Sequence, residues 1–399
     1  MKERNTFRII SIMVLAITFS TFRLSGQINK ESIKQISKFL QLKLDSLTKN
    51  KVIPGATISV RFGAGTNISL ASGLADIESK ISMKPDALMF SGSVGKTYVS
   101  AVVLKLYEKG FIDLKAKAID YLKDETWFFK VPNAKEFTVE MLMNHTAGIP
   151  EYVYHKELWE QIKQNPDKEW TVEERLSFIY KEPASNDPGK AWAYADAHYL
   201  VLGLIIEKVT AKTYYQVLTE LILKPYHLKN TFPSDTREIP GLVTAGYTQL
   251  TEDFLLPHKV VNDNKYAFNP QLEWTGGGLA STVSDLTKWI SKLYNGDVLK
   301  PESSKLMLTP APFPTTLFEN AKYGLGCFIG ETNGITYYGH TGFVPGYITY
   351  VQYLPKYDIS FAFQFNDDSS HENYSMKIFF NELKKIVLEN YETIGNELK

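Results

Sequence analysis

The sequence predicts an α/β fold of the α+β kind, laid out as sheet, helical block, sheet and final helix. Three observations predict it. Ala56 to Phe62 and Asn67 to Leu74 read as two strands around Gly63-Ala64-Gly65, a hairpin. Residues 111–268 turn helical, with Pro- and Gly-bearing loops and little alternation. The last third returns to strands, where Ile359, Phe361, Phe363 and Phe365 alternate as a half-buried strand should. The outer segments, about 30–92 and 270–399, are expected to form one α/β part around a helical part, about 93–269. Such a plan leaves a cleft between the parts, where sites tend to lie.

Bulk composition supports a folded chain with a sizeable core: 399 residues, 44% of them hydrophobic and 22% charged. Forty-four basic and forty-four acidic residues cancel, so nothing favours nucleic acid as a partner. Residues 1–26 read as a signal peptide: Lys2, Arg4 and Arg8 lead an apolar stretch from Ile9 to Phe22, and Ser25-Gly26 offers a cleavage site. The mature chain, residues 27–399, is therefore expected in the periplasm or secreted, with an uncleaved membrane anchor as the lesser alternative. The absence of cysteine near the cleavage site argues against a lipoprotein anchor.

The elements follow in order. Ile33, Ile36, Phe39, Leu40 and Leu47 make an amphipathic helix over 31–50, ended by the Pro54-Gly55 turn. A helix starts at Ser93 and stops at Gly110, a natural C-terminal residue for it. Further helices are expected at 138–144, 155–164, 171–181, 196–209 and 213–223, and one capped by Ser284 or Asp285. Strands are expected at Gly334 to Tyr338 and Tyr347 to Leu354, and a last helix from about Ser370 to Asn390. Cys327, the only cysteine, reads as a small buried hydrophobe. The seven histidines show no metal-ligand spacing, so neither metal nor cofactor is assigned.

Five stretches can carry chemistry. In Ser93-Val94-Gly95-Lys96 a serine and a lysine share one face of a first helical turn. A serine hydroxyl becomes a useful nucleophile once a neighbour takes its proton, and a lysine held as the free amine can do so. The plainer reading of Ser93 is a helix cap. Tyr194-Ala195-Asp196 follows a Pro188-Gly189 turn; nearby positive charge would favour the phenolate of Tyr194, making it a proton relay, while Asp196 reads as a cap. Tyr338-Gly339-His340-Thr341-Gly342-Phe343 ends one strand, where small residues let a substrate approach the backbone. Its backbone donors could complete an oxyanion hole with the Ser93 N–H, and His340 could supply positive character near a substrate carboxylate. Gly276-Gly277-Gly278 reads as a tight turn lining the cleft, without the ending of a phosphate loop. His145, in Asn144 to Pro150, reads as a hydrogen bonder that fixes its loop.

Together these motifs resemble the serine β-lactamase and penicillin-binding protein superfamily, in its class C β-lactamase, D-alanyl-D-alanine carboxypeptidase and esterase branch. Ser93-Val94-Gly95-Lys96 matches the nucleophile motif, Leu142 to Ile149 the Leu-Leu-x-His-Thr-Ser/Ala-Gly signature, and His340-Thr341-Gly342 stands in place of Lys-Thr-Gly. The resemblance spans about residues 30–385. It implies a β-lactamase/transpeptidase-like fold, an antiparallel sheet flanked by helices with a helical subdomain inserted. It implies a serine hydrolase in which Ser93 is acylated, Lys96 activates it and Tyr194 shuttles the proton. Asp196, His340, Thr341 and Gly342 would bind the substrate, an amide or ester: a D-amino-acid peptide, a small ester or a β-lactam. One departure matters, because the family has Tyr-x-Asn and this chain has Asp196. An ionised aspartate only accepts hydrogen bonds, and beside Lys96 it favours the ammonium. Weak turnover of benzylpenicillin is expected. The alternative is a catalytically impaired module that binds peptidoglycan fragments at the cell envelope.

Overall fold

A computed structural model describes residues 30–50, 53–239, 244–318, 320–369 and 376–397; the expected signal peptide lies outside them. The chain opens with α1 (Lys30–Lys49), β1 (Gly55–Phe62), β2 (Thr66–Asp76), β3 (Ile81–Ser82) and β4 (Met89–Phe90). A 3₁₀ turn at Gly92–Val94 leads into α2 (Gly95–Glu108). The helical block continues as α3 (Ala118–Leu122), α4 (Val139–Met143), α5 (Lys156–Gln164), α6 (Val172–Ser177), α7 (Asp196–Thr210) and α8 (Tyr214–Leu218). Short strands follow: β5 (Thr231–Pro233), β6 (Val261–Asn262), β7 (Lys265–Tyr266) and β8 (Leu279–Ser281). After α9 (Val283–Tyr294) and α10 (Pro301–Met307) come β9 (Ala321–Tyr323), β10 (Phe328–Thr332), β11 (Ile335–Val344), β12 (Tyr347–Leu354), β13 (Ile359–Phe365) and α11 (Met376–Glu397).

Eight strands form one antiparallel sheet in the order β3-β2-β1-β13-β12-β11-β10-β9. The alternation of Ile359 to Phe365 predicted a half-buried strand, yet all seven residues of β13 are buried. The reason is position: β13 is central, paired with β1 and β12, and both of its faces are covered. Phe361, Phe363 and Phe365 pack with Ile36, Leu40, Phe379 and Leu383 of α1 and α11. On the other face Ala362 joins the larger core, and the Ser360 hydroxyl donates to the Thr287 carbonyl of α9 at 3.0 Å.

Several boundaries shift for local reasons. The helix expected over 171–181 stops at Ser177, after a Thr171–Glu174 capping box sets its start. Past Leu218 the expected helix widens into a π-type turn, Thr219–Leu223. Neither Ser284 nor Asp285 caps α9. Thr282 does, its hydroxyl accepting the Asp285 N–H at 3.3 Å, which leaves the Asp285 carboxylate to take the Asn230 N–H at 2.7 Å. The strand expected over 334–338 runs on to Val344 and absorbs His340-Thr341-Gly342. The last helix begins at Met376, and residues 370–375 lie outside the described set. Among the described residues no helix is long and apolar enough to cross a membrane.

A second, three-stranded sheet, β4-β8-β5, positions the chemistry. It pairs Met89 with Ser281 and Phe90 with Ala280, so the segment before Ser93 is laced to the glycine run after Trp274. Ser91 tightens this lacing, its N–H and its hydroxyl both donating to the Leu279 carbonyl at 2.9 Å. On the opposite side the backbone of β11 passes so close that a Cβ on Gly342 would lie 1.9 Å from the Ser91 oxygen. Ser93 is thus carried on a turn wedged between two backbones.

Candidate active site

Ser93 does not cap its helix. It lies inside the 3₁₀ turn, Val94 holds the capping position of α2, and no side-chain cap bond forms. Its hydroxyl instead accepts a hydrogen bond from Lys96 Nζ at 3.0 Å. Lys96, one turn on and fully buried, also donates to Asp196 Oδ1 and to the Gly276 carbonyl. An ammonium has three protons, and here each has an acceptor. The Lys96 nitrogen sits 5.0 Å from the Tyr194 ring centre and 5.3 Å from that of Tyr199, so two phenol faces complete its surroundings.

The glycine run explains why Gly276 can reach Lys96. A Cβ on Gly277 would stand 2.5 Å from Gly92 backbone atoms and 2.8 Å from the Ser93 nitrogen, and one on Gly95 would stand 2.8 Å from the Gly277 Cα. The two backbones touch there, so neither position tolerates a side chain.

Asp196 is the first residue of α7, not its cap, which is Ala195. The helix start is clamped by Glu151: its Oε2 accepts the Asp196 N–H at 2.6 Å, and Oε1 accepts those of Tyr152 at 2.8 Å and Val153 at 3.3 Å. His145 fixes the strand-like stretch just before. Its carbonyl accepts the Ala193 N–H at 2.9 Å and its Nδ1 the Ala195 N–H at 3.3 Å. His198 Nε2 accepts the Ile149 N–H at 3.2 Å, so its Nδ1 carries the proton donated to His145 Nδ1, 2.9 Å away. Burial, assisted by Lys96, lowers His198 to about 3, so the pair stays neutral.

Tyr194 lies where a relay would need it, over Lys96, but as a neutral phenol rather than the expected phenolate. Burial raises its pKa well above 10 and the Asp196 charge adds to this; the nearby Ser93 hydroxyl pulls the other way and loses. Its hydroxyl is buried and closes no hydrogen bond among the described residues. Lys96 meets the ring face instead of the oxygen, which is why positive charge fails to draw out the proton.

His340 also departs from expectation. It is buried, its Nδ1 donates to the Thr341 carbonyl at 2.5 Å, and its Nε2 accepts the Tyr323 hydroxyl at 2.8 Å. Burial and then Lys96 lower it to about 3, so it supplies no positive character. Thr341 is half-buried and Gly342 lies against Ser91. Pairing of β11 with β10 stops at Gly339, whereas pairing with β12 continues to Val344. The other edge of residues 340–344 is therefore turned to the Ser93 turn.

Two carboxyl groups that sequence patterns did not single out complete the site. Burial pushes Glu151 and Glu273 each up to about 8, with the Asp196 charge next in size; Lys96 pulls both down. Glu273 is half-buried, and its carboxyl group forms no hydrogen bond or ion pair among the described residues. Its value in the folded protein lies above that of a free glutamate, so its contribution to stability is full below pH 4.5 and is lost as pH rises through about 8. Glu273→Gln is accordingly expected to stabilise the protein by about 1–3 kcal/mol at pH 9, with no difference near pH 4.5. Urea midpoints at the two pH values measure this, and equal gains at both would contradict it.

Beside Tyr194, Trp192, Phe313, Phe318, Tyr323 and Phe328 form a small aromatic cluster separate from the two large cores. The site as a whole sets a hydroxyl, a primary amine, a phenol and three carboxyl groups around one apolar shelf.

Comparison with known proteins identifies the family and the fold. A family profile for Beta-lactamase matches residues 40–381. Penicillin-binding protein 4* of Bacillus subtilis is 23% identical over 322 residues, covering 78% of this chain and 68% of that protein. D-amino acid amidase from Ochrobactrum anthropi SV3, solved in complex with D-phenylalanine, superposes with a TM-score of 0.75 at 22% identity, over 90% of this chain and 99% of that one. A D-stereospecific amidohydrolase from Streptomyces gives a TM-score of 0.70 at 24% identity, over 83% and 94% of the two chains.

Proposed function

The chain belongs to the beta-lactamase family of hydrolases, and we propose that it cleaves amide or ester bonds through an acyl-enzyme on Ser93, on substrates that carry a free ammonium beside the scissile carbonyl. The observation that carries the reading is the Lys96–Ser93 contact of 3.0 Å amid the Asp196, Glu151 and Glu273 carboxyl groups. In this reading Ser93 Oγ attacks the carbonyl carbon, and its proton passes to Lys96 held as the free amine. Tyr194 hands a proton on to the leaving amine or alcohol. The Ser93 N–H and a backbone donor from 341–343 hold the oxyanion, each such donor being worth about 3–4 kcal/mol of the barrier. Water then attacks the ester on Ser93, and the acid is released.

The Asp196 carboxylate suits a cationic substrate end, and the shelf of Trp192, Phe313 and Phe318 suits an apolar side chain. Small D-amino-acid amides and short D-amino-acid peptides meet both requirements, and a structural neighbour solved with D-phenylalanine supports that choice. With His340 neutral, no cation from β11 favours a substrate carboxylate, which weighs against penicillins. The leading segment 1–26 supports export of the mature chain to the periplasm or beyond.

Intact-mass analysis during turnover of D-phenylalanine amide and of its 4-nitroanilide tests the reading. Expected are release of ammonia or 4-nitroaniline, slower turnover of the L-isomers, and a fluorophosphonate adduct on the peptide that contains Ser93. Absence of both turnover and adduct would overturn it. A second reading is a peptidoglycan-fragment binder with an idle centre. It is favoured by Lys96 having all three protons committed. Tight muropeptide binding without any acylation would select it.

A further inference from the structure

Lys96 cannot take a proton in the state the structure records. Its three N–H bonds point to Ser93 Oγ, Asp196 Oδ1 and the Gly276 oxygen, and its side chain has no exposed surface. The Asp196 carboxylate beside this nitrogen favours the ammonium, and an ammonium that fills these three contacts has no free lone pair. The neighbouring titratable groups offer no replacement base: burial keeps the Tyr194 and Tyr199 phenols protonated, and it lowers the proton affinity of His145, His198 and His340, the last two with their ring nitrogens tied up in other hydrogen bonds. The empty site is therefore off.

The three carboxyl groups differ in what they can still do. Glu151 spends both oxygens on backbone N–H groups of residues 152, 153 and 196. The Glu273 carboxyl group interacts electrostatically with Asp196, Lys96 and Arg175 and makes no hydrogen bond among the described residues. Asp196 holds Lys96 from within, yet 17% of its side chain remains exposed while Lys96 shows none. Of the three carboxyl groups, Asp196 alone bonds to the lysine, and part of it stays open to the cleft.

We propose that Asp196 is a charge gate: it keeps Lys96 as an ammonium in the empty site, and the substrate's own ammonium, on pairing with Asp196, releases Lys96 to act as the base. The inference rests on the Ser93 acyl-enzyme reading above and adds the cause of its substrate preference. The substrate ammonium takes Asp196 Oδ1 as its partner, which leaves one Lys96 N–H without its acceptor beside a second cation, and that is the proton Lys96 sheds. The proton leaves Lys96 for solvent as the cationic substrate settles. The free amine then accepts the Ser93 proton as the O–H bond breaks and the Oγ–C bond forms. Lys96, again an ammonium, returns that proton through Tyr194 to the leaving nitrogen as the C–N bond breaks. A neutral substrate brings no second cation, so it meets a serine with no base.

The test compares D-phenylalanine 4-nitroanilide with 3-phenylpropanoyl 4-nitroanilide, which lacks only the ammonium. Wild type is expected to favour the first by about 100-fold in kcat/KM, and D196N to narrow the gap below about tenfold by raising kcat on the second. A purely structural Asp196 would lower both substrates together, and a purely binding Asp196 would raise KM for the cationic one alone. Either pattern overturns the gate. A second measurement needs no variant: ethylammonium, but not sodium at equal ionic strength, should stimulate wild-type turnover of the des-amino anilide severalfold and saturably. No stimulation also overturns the gate. A Ser93 adduct with turnover of both anilides at similar rates leaves the acyl-enzyme reading standing while removing the gate. A protein that neither acylates nor turns over either anilide removes both.

Discussion

Ser93→Ala is expected to lower turnover of D-amino-acid amides by about 10⁴-fold or more and to abolish fluorophosphonate labelling, with the fold intact. The hydroxyl oxygen is the only heavy side-chain atom lost, and among the described residues it accepts a hydrogen bond from Lys96. Removing that acceptor leaves one ammonium proton unpaired, a cost of about 1–3 kcal/mol, which a chain with two large cores can carry. Intact-mass spectra and a thermal melt, taken on the same sample, separate lost chemistry from lost structure. Full labelling of the variant would remove Ser93 from the mechanism.

Gly277→Ala is expected to lower turnover by at least about 100-fold, although position 277 touches no substrate in the proposed mechanism. Its new Cβ would lie 2.5 Å from the Gly92 carbonyl group and 2.8 Å from the Ser93 nitrogen. Those neighbours are backbone atoms, pinned by the β4–β8 pairing and by Ser91 on Leu279, so they cannot swing aside as a side-chain tip would. The clash must displace the Ser93 turn or the Gly276 oxygen that Lys96 uses. Overpacking of this kind costs about 1–3 kcal/mol, so a lower melting temperature is expected as well. Gly276→Ala is the matched comparison for stability: its Cβ would meet nothing nearer than Asp196 Cγ at 3.5 Å, and its melting temperature should stay close to wild type. Equal melting temperatures for the two variants would refute the backbone-contact argument.

How much of this could be read along the chain differs from residue to residue. Ser93 and Lys96 were legible because one helical turn relates them, and three-residue spacing is local geometry. Tyr194 lies beside Lys96 as the relay reading requires, but as a neutral phenol and not the expected phenolate. A neighbouring cation favours the phenolate only if it meets the oxygen, and Lys96 meets the ring. His340 misled for a related reason, since the loop-end histidine pictured at a strand terminus lies buried in a ten-residue strand against Tyr323. The β13 alternation was real, but which side it exposed depended on whether α9 packed behind it. Glu151 and Glu273 left no pattern to follow, because a single glutamate in a loop looks alike whether it faces water or a nucleophile.

Sequence alone was enough for the fold class, the broad order of its elements and the nearness of Ser93 to Lys96. Those follow from hydrophobic periodicity and turn residues, which act over a few neighbours along the chain. The protonation states were settled only in three dimensions. Asp196 stands 100 residues from Lys96 and Gly276 stands 180 from it, yet both take its protons. Charge at a site is set by burial and by what lies across the cleft, and neither is a property of local sequence.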